Sequence, residues 1–166
     1  LGRVRKAVRS VLTAVLIIFI AAEYQLFFPF PTTSAALPAY FDTLAARTNI
    51  RAILDLPFDD PLAQKAALYQ QTAHHKPLIG GYVARETTVD PAKLAVLSDA
   101  ALSMIDPAQA RAILNDNGAD VVIYHWGLLD KPDVLAHAAA LFGPSVYQDE
   151  QFAVFEVPLA AKPSTV

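Results

Sequence analysis

A cluster of polar side chains between Tyr69 and Arg85 offers the clearest chemistry in the sequence. Seven residues of this segment are expected to line a polar groove: Tyr69, Gln70, His74, His75, Lys76, Tyr82 and Arg85. The histidines and the lysine could contact an anionic group such as a phosphate, and the glycine pair 80–81 would let the backbone approach a ligand closely. This segment is therefore the candidate ligand-binding site, and no residue is assigned a catalytic role.

The same segment also has a structural interpretation. Basic side chains at the end of a helix complement the helix dipole, and Pro77 would end that helix. The two glycines would then allow a bulge or a close crossing of strands. Both interpretations stay open on the sequence alone, and the structural one is the commoner outcome for such segments.

The four histidines lack the spacing of a metal site. His74 and His75 are adjacent and point in different directions on a helix, whereas His125 lies on a predicted strand and His137 on a later helix. No His-Glu-x-x-His pattern occurs. We expect no metal site and no cofactor. We expect His125 to be partly buried, with its ring bonded to a backbone carbonyl.

Residues for covalent or acid–base catalysis are also hard to assemble. The chain has no cysteine, which excludes a disulfide and a cysteine nucleophile, and no Gly-x-Ser-x-Gly elbow is present. Asp55, Asp59 and Asp60 lie close together, which leaves open a carboxylate pair for glycoside hydrolysis. Asp60 is better placed to cap a helix. A small hydrolase that uses Asp55 or His125 is the least favoured hypothesis.

Composition limits the classes of function further. The chain has 166 residues, of which 54% are hydrophobic and 17% charged, and its net charge is −3. Soluble domains usually carry about 25% charged residues, so part of this chain is expected to avoid water. A nucleic-acid-binding protein needs a basic face, and the acidic balance argues against that class.

The elements that must position these residues alternate between strands and helices. Three Asp-Pro pairs, at 60–61, 90–91 and 106–107, predict helix starts, because Asp caps the free amides and Pro fits the first turn. Strands are expected at 50–57, beside the glycine pair 80–81 and at 119–126, followed by a hairpin at 145–149 and 151–157, and further helices are expected at 38–48 and 132–142. The order β-α-β-α-α-β-α-β-β indicates an α/β fold, with a small, partly parallel sheet, flanking helices and a C-terminal β-hairpin.

A basic and then apolar segment precedes this domain. Arg3, Arg5, Lys6 and Arg9 come before the uncharged run 11–22, and an aromatic stretch follows Glu23. The run from residue 11 to residue 30 contains a single charge and is close to the ~20 residues that span a bilayer. We therefore expect one N-terminal transmembrane helix, with its N-terminus in the cytoplasm by the positive-inside rule.

Two other interpretations of this segment remain. A cleavable signal peptide has the same order of charge and apolarity, and a buried helix is the third alternative, although the run is apolar on all faces. The chain starts with Leu1 and its single methionine is Met104, which favours a fragment of a longer protein or an alternative start codon. The predicted domains are a membrane helix with its basic flank at 1–31, a linker and short helix at 32–49, an α/β domain at 50–158 and a tail at 159–166.

Four stretches carry a resemblance to a known family. They are Ala52-Ile-Leu-Asp-Leu-Pro-Phe58, Tyr69-Gln-Gln-Thr-x-His-x-Lys-Pro-x-x-Gly-Gly-Tyr82, Gly118-Ala-Asp-Val-Val-Ile-Tyr124 and the closing segment 146–158. They follow a basic-flanked apolar helix and a Pro-rich linker. In this arrangement the chain resembles the C-terminal extracytoplasmic region of bacterial polytopic membrane proteins of the glycosyltransferase-C-like type, which use lipid-phosphate sugars.

The resemblance implies a membrane-anchored accessory domain outside the cytoplasm, held in the cytoplasmic membrane. Its partners would be the lipid bilayer, the remaining transmembrane helices of a longer parent chain, and a glycan or lipid-linked acceptor. The family's catalytic carboxylate is expected in an early extracytoplasmic loop that this chain does not contain, so the domain would be non-catalytic by itself. The alternative is a single-span or secreted α/β protein that binds a small ligand.

Overall fold

The computed structural model describes residues 2–26, 36–80, 90–103, 106–129 and 133–159. The chain divides into two compact units, Leu1–Ala36 and Leu37–Val166. Residues 27–31 of the predicted membrane segment, residues 32–35 of the predicted linker, residues 81–89 and the tail residues 160–166 lie outside the described part of the chain.

In the first unit, the structure describes one helix, α1, at Gly2–Leu26. A helix of this length measures about 37 Å at 1.5 Å per residue, which exceeds the ~30 Å hydrocarbon core of a bilayer. Its segment Val8–Gln25 is long and apolar enough to cross a membrane, and none of that segment is buried within the structure. Length and composition fit a membrane span and a signal sequence equally.

The second unit alternates helices and strands in the predicted order. Its helices are α2 (Tyr40–Ala46), α3 (Pro61–His74), α4 (Pro91–Leu102), α5 (Pro107–Asp116) and α6 (Val134–Phe142). Its strands are β1 (Ala52–Leu56), β2 (Leu78–Ile79), β3 (Ala119–Tyr124), β4 (Tyr147–Gln148) and β5 (Ala153–Glu156), and a 3₁₀ turn occupies Trp126–Leu128.

The strands form one sheet in the order β2-β1-β3-β5-β4. Strand β1 runs parallel to both β2 and β3, while β5 is antiparallel to β3 and to β4. The predicted α/β fold is therefore confirmed, with its partly parallel sheet and its C-terminal hairpin. Strand β3 lies between β1 and β5 and is covered on both faces, which explains its nearly continuous apolar sequence.

The three Asp-Pro pairs start α3, α4 and α5 as predicted. Asp60 accepts hydrogen bonds from the amides of Leu62 and Ala63, while Asp90 and Asp106 each accept one amide two residues further on. Each proline occupies the first helical position, where its missing N–H costs nothing. At the other end of α5, Gly118 has a φ of +79°, the left-handed conformation expected of a terminating glycine.

Two hydrophobic layers cover the sheet. Helices α4, α5 and α6 pack on the face that carries Leu54, Val122 and Phe155. Helix α2 packs on the opposite face, which carries Ile53 and Ile123, and α3 contacts α2 and β1. The sheet is thus the middle layer of a three-layer domain.

Strand β3 is two residues shorter than predicted. The amide of His125 still donates to the Leu56 carbonyl at 2.8 Å, but the amide of Leu128 then donates to the His125 carbonyl at 2.9 Å. This second bond turns the chain into the 3₁₀ segment that begins at Trp126. Tyr124 is therefore the last strand residue, and His125 follows directly at the strand's carboxyl end.

Candidate functional site

The order of the parallel strands reverses between β1 and β3. From β1 the chain passes through α3 to β2 on one side, and then returns through α4 and α5 to β3 on the other side of β1. Because crossovers between parallel strands are right-handed, this reversal places the connecting helices on opposite faces. In such sheets ligands bind outside the carboxyl ends of the two strands where the order reverses.

Asp55 and His125 meet near the carboxyl ends of β1 and β3. Asp55 is the fourth residue of β1 and His125 directly follows β3. The ring Nε2 of His125 donates to Asp55 Oδ1 at 3.1 Å, and the two side chains are 6% and 10% exposed for His125 and Asp55 respectively. The expectation that a backbone carbonyl would satisfy this histidine ring is wrong, because the parallel pairing of β1 and β3 brings a carboxylate to it.

The second oxygen of Asp55 is unsatisfied. Asp55 Oδ2 is buried and has no hydrogen-bond partner in the described structure. Burial raises the pKa of the Asp55 carboxyl, and the hydrogen bond and charge of His125 oppose part of that rise. An acceptor that is buried without a donor costs about 1–3 kcal/mol.

A small cavity adjoins the carboxylate. It is lined by Asp55, Pro57, Phe58, Gln64, Ala67, Leu78 and Ile79, and the space open to a water-sized sphere is about 10 Å³. That volume corresponds to roughly one water molecule. The amide nitrogen of Gln64 donates to the Phe58 carbonyl at 2.5 Å and thereby ties the start of α3 to the turn after β1.

A larger groove of about 550 Å³ lies at the amino ends of β1 and β3. Its charged side chains already pair with one another. Arg47 binds Glu156 through both guanidinium nitrogens, and Arg51 binds Asp120 at 2.6 Å. The groove therefore presents two neutralised ion pairs, whereas Asp55, near the carboxyl end of β1, has one buried carboxyl oxygen without a hydrogen-bond partner among the described residues.

Two residues of the predicted polar groove lie inside the domain. Gln70 and His74 are on the buried face of α3, with exposed fractions of 4% and 0%. The Nδ1 of His74 accepts the amide of Lys76 at 3.0 Å, while its Nε2 has no hydrogen-bond partner. Burial, together with the charges of His75 and Lys76, lowers the pKa of His74 to about 4.

The remaining described residues of the groove point elsewhere. His75 caps the end of α3 with a left-handed backbone, and Tyr69 is 43% exposed on the outer side of that helix. The Nζ of Lys76 donates to the carbonyls of Ala45 and Arg47, which ties the segment to the end of α2. These positions fit the helix-end interpretation, and ligand binding by this set stays a prediction. Tyr82 and Arg85 lie outside the described residues.

The three neighbouring aspartates have separate surroundings. Asp55 is buried on β1, Asp59 is exposed, and Asp60 accepts the first amides of α3 as predicted. In the described ranges, no group of three or more His, Cys, Asp or Glu side chains is placed to hold a metal ion. Among the described residues, the buried side-chain atoms without a hydrogen-bond partner include Asp55 Oδ2, Gln70 Oε1 and His74 Nε2.

Sequence reasoning considered Asp55 and His125 separately and did not predict their contact. The two residues are 70 positions apart, and their pairing depends on which strands become neighbours. One signal was present, since both interrupt apolar strands close to the strand ends. An acidic residue flanked by leucines at the carboxyl end of a predicted parallel strand is a position where ligands bind.

The protein is thus a mixed α/β domain in which Asp55 and His125 form a buried contact where the strand order reverses. No family model matches the chain, and neither the curated proteins nor the solved structures contain a significant match.

Proposed function

We propose that this protein is a membrane-tethered α/β domain that works outside the cytoplasm as a non-catalytic accessory part of a glycosyltransferase-C-like integral membrane protein. In this role it contacts the acceptor or covers the mouth of the active site. The observation that carries the proposal is the exposed apolar helix α1, followed by a separate compact unit.

The exposure of α1 supports membrane insertion. Large apolar side chains project from it without any protein cover, among them Leu16, Ile18 and Phe19, which are 60%, 67% and 72% exposed. Burying a leucine, isoleucine or phenylalanine side chain is worth about 1.5–3 kcal/mol. Ten large apolar side chains of α1 are exposed. Such a helix would be strongly unfavourable in water, and the hydrocarbon of a bilayer removes that penalty.

Charge supports the orientation. Four basic residues lie before the apolar run, and the next basic residue along the chain is Arg47. An excess of Lys and Arg next to a span is retained in the cytoplasm. The α/β domain would then lie outside the cytoplasm, in bacteria on the outer side of the cytoplasmic membrane.

The accessory role rests on the sequence resemblance and on where its four stretches lie. In their described residues, the first stretch forms β1 and the turn after it, and the second forms the end of α3 together with β2. The third forms β3, and the fourth forms the C-terminal hairpin. Each is thus part of the sheet or of a segment next to it. Residues that build a sheet maintain the fold. This structural role suits a domain that supports chemistry performed elsewhere in a parent chain.

The test is the fate of the native gene product, tagged after Val166 and recovered from its own cells. We expect the tagged protein to remain in membranes after an alkaline wash and to have a mass well above the 17.9 kDa of this chain. A soluble product that begins near Leu37 would overturn the tether and identify 1–36 as a cleaved signal.

The non-catalytic role also predicts the effect of a substitution at Asp55. Transfer of radiolabelled sugar from lipid-phosphate donors in these membranes should persist in Asp55→Asn, as it does in the control Asp59→Asn. If transfer disappears in Asp55→Asn while the protein level stays normal, the domain takes part in the chemistry and the accessory role is wrong.

A small-ligand-binding protein is the second candidate. The buried Asp55–His125 pair favours it, because its free oxygen lies where α/β sheets bind ligands. A mature product that begins near Leu37, without a parent chain, would make this candidate the leading one.

A further inference from the structure

We propose that the outer face of α3 rests on the surface of the lipid bilayer that α1 spans, with its apolar side chains at the level of the headgroups. This face comprises the six exposed residues of α3: Pro61, Leu62, Lys65, Leu68, Tyr69 and Thr72. The proposal rests on the membrane tether proposed above and names the surface through which the domain meets lipid. It does not depend on the accessory role.

The first argument is that α3 directs its large apolar side chains away from the core. Its buried positions are small or polar, namely Ala63, Ala67, Gln70 and His74. Its exposed positions include Leu62, Leu68 and Tyr69, which are 62%, 37% and 43% exposed. A surface helix normally turns its apolar stripe toward the core. Packing within the domain therefore does not explain the apolar outer face of α3.

The second argument is that these side chains are grouped. At 3.6 residues per turn, the six exposed positions of α3 fall within an arc of about 120°, opposite the buried positions. Among the described residues of the second unit, seven large apolar side chains are exposed, and three of them lie in this arc. The other four are on separate segments, at Val96, Leu128, Val146 and Leu159. Single exposed apolar residues need no explanation, whereas grouped ones mark an interaction surface.

The third argument is charge. Residues 32–166 contain 9 basic and 15 acidic side chains, yet α3 contains no acidic residue and presents Lys65 on its outer face. Asp59 and Asp60 precede the helix, and Tyr69 lies about 13 Å beyond Asp60 along the helix axis. A membrane surface with anionic lipids attracts lysine and repels carboxylates. The outer face of α3 thus lets an otherwise acidic domain approach such a surface.

The fourth argument is the length of the tether. Residues 27–36 lie between the end of α1 at Leu26 and the start of the second unit at Leu37. Ten residues reach at most about 35 Å when fully extended, so the domain stays near the headgroups. A short tether raises the effective concentration of two surfaces to roughly the mM range. A weak contact is then populated, and a small apolar face is sufficient for it.

The residue types on this face suit the boundary between lipid and water. Tyrosine, here Tyr69, combines an apolar ring with a hydroxyl group and is enriched at membrane interfaces. Lysine, here Lys65, lays its aliphatic stem along apolar surface while its ammonium group stays with the polar headgroups. Helices with leucine on one side and lysine beside it lie in the plane of the interface, with their apolar face at the boundary of headgroups and acyl chains.

The experiment attaches one fluorescent label at a time to the full chain, which has no native cysteine, in vesicles of phosphatidylcholine and phosphatidylglycerol. Thr72→Cys reports the outer face of α3, and Ala95→Cys reports an exposed position of α4, in the layer across the sheet. Nitroxides on the lipid headgroups should quench the label at position 72 at least threefold more than the label at position 95. Ile17→Cys, quenched by nitroxides on the acyl chains, reports whether α1 is inserted.

Two pairs of variants assign the contact to residues. Lys65→Glu should at least halve headgroup quenching at position 72, because it replaces the attracted cation with a repelled anion. Lys93→Glu makes the same change at an exposed position of α4 and should leave the quenching unchanged. Leu68→Gln should likewise halve it, while Val96→Gln on α4 should have no effect. All four positions are exposed, so none of these substitutions alters the core.

Three results would overturn the proposal, and the label at position 17 separates them. If that label is quenched while position 72 is quenched no more than position 95, the contact is wrong and the tether stands. If the label at position 17 is not quenched, the tether is wrong and the proposal falls with it. Self-quenching at position 72 that grows with the ratio of protein to lipid, without headgroup quenching, would assign the outer face to a second copy of the chain instead.

Discussion

Polar side chains in this domain act largely by holding chain segments together. Lys76 is the clearest example, since its ammonium group donates to two carbonyls near the end of α2, those of Ala45 and Arg47. His74 lies two residues earlier and accepts the Lys76 amide. The segment after α3 is thus fixed by a charged donor and a buried ring, and both can be tested by substitution.

The first prediction concerns Lys76→Met, which keeps the aliphatic stem and removes the charged donor. Two carbonyls would lose their partner, and we expect the free energy of unfolding to fall by about 1–2 kcal/mol. Lys65→Met, at an exposed position of α3, is the matched control and should change stability by less than about 0.5 kcal/mol. Equal effects in the two variants, measured by chemical denaturation, would show that the ties to α2 carry no stability.

The second prediction concerns pH and His74. Its pKa is about 4 in the folded domain and 6.5 ordinarily, so the unfolded chain takes up the proton first as pH falls. The free energy of unfolding should therefore decrease between pH 6.5 and about 4, by about 3 kcal/mol. The stabilisation is fully present above pH 6.5.

The variant His74→Asn tests this assignment. The asparagine oxygen can still accept the Lys76 amide, but the side chain does not titrate. Denaturation followed by fluorescence of Trp126, the single tryptophan, should show a shallower decline in the variant than in the wild type. Asp55 titrates in both proteins, so its contribution cancels in the difference. Parallel pH profiles would refute the role of His74.

At the scale of elements, the helix starts follow from local sequence. Each Asp-Pro pair supplies a cap and a first-turn proline within two residues, so no distant contact is needed to place the start. The same locality explains why α5 ends beside Gly118. These features were predictable because the residues that determine them are neighbours in the chain.

The third prediction uses the adjacent pair Asp59 and Asp60. Asp60→Ala removes an acceptor of two amides at the start of α3 and should cost about 1 kcal/mol of unfolding free energy. Asp59→Ala changes the same charge at an exposed position and should stay within about 0.5 kcal/mol of the wild type. Thermal unfolding of the two variants side by side separates the cap from the charge.

The end of β3 and the contact between β1 and β3 depend on hydrogen bonds that cannot be read from the sequence of one segment. The end of β3 is set by the backbone bond that turns the chain at His125, and the Asp55–His125 contact requires β1 and β3 to be neighbours. Strand order is a property of the whole sheet, and periodicity within one segment carries no information about it. The sequence predicted His74 as part of a polar groove, whereas its ring is buried against Phe41 of α2, a contact between two helices that the segment alone does not display.

At the scale of the whole molecule, the chain combines two units whose surfaces differ in polarity. The first is an apolar helix whose side chains from Val8 to Gln25 have no protein cover. The second is an acidic α/β domain with two buried cores and a sheet covered on both faces. This contrast is the basis for placing the helix in a bilayer and the domain in water.

Topology is the most direct test of that account. The chain has no cysteine, so a single cysteine introduced into it can report each side of the membrane once any cysteines elsewhere in the native gene product are replaced. Glu150→Cys lies at an exposed position beside the C-terminal hairpin, and Lys6→Cys lies before the apolar run, where three arginines remain. The reagent is a membrane-impermeant maleimide, added to intact spheroplasts that express the native gene product.

The account predicts labelling of the cysteine at position 150 in intact spheroplasts, and labelling of the cysteine at position 6 only after the membrane is permeabilised. Labelling of both sites without permeabilisation, or of position 6 alone, would contradict a domain tethered outside the cytoplasm by α1.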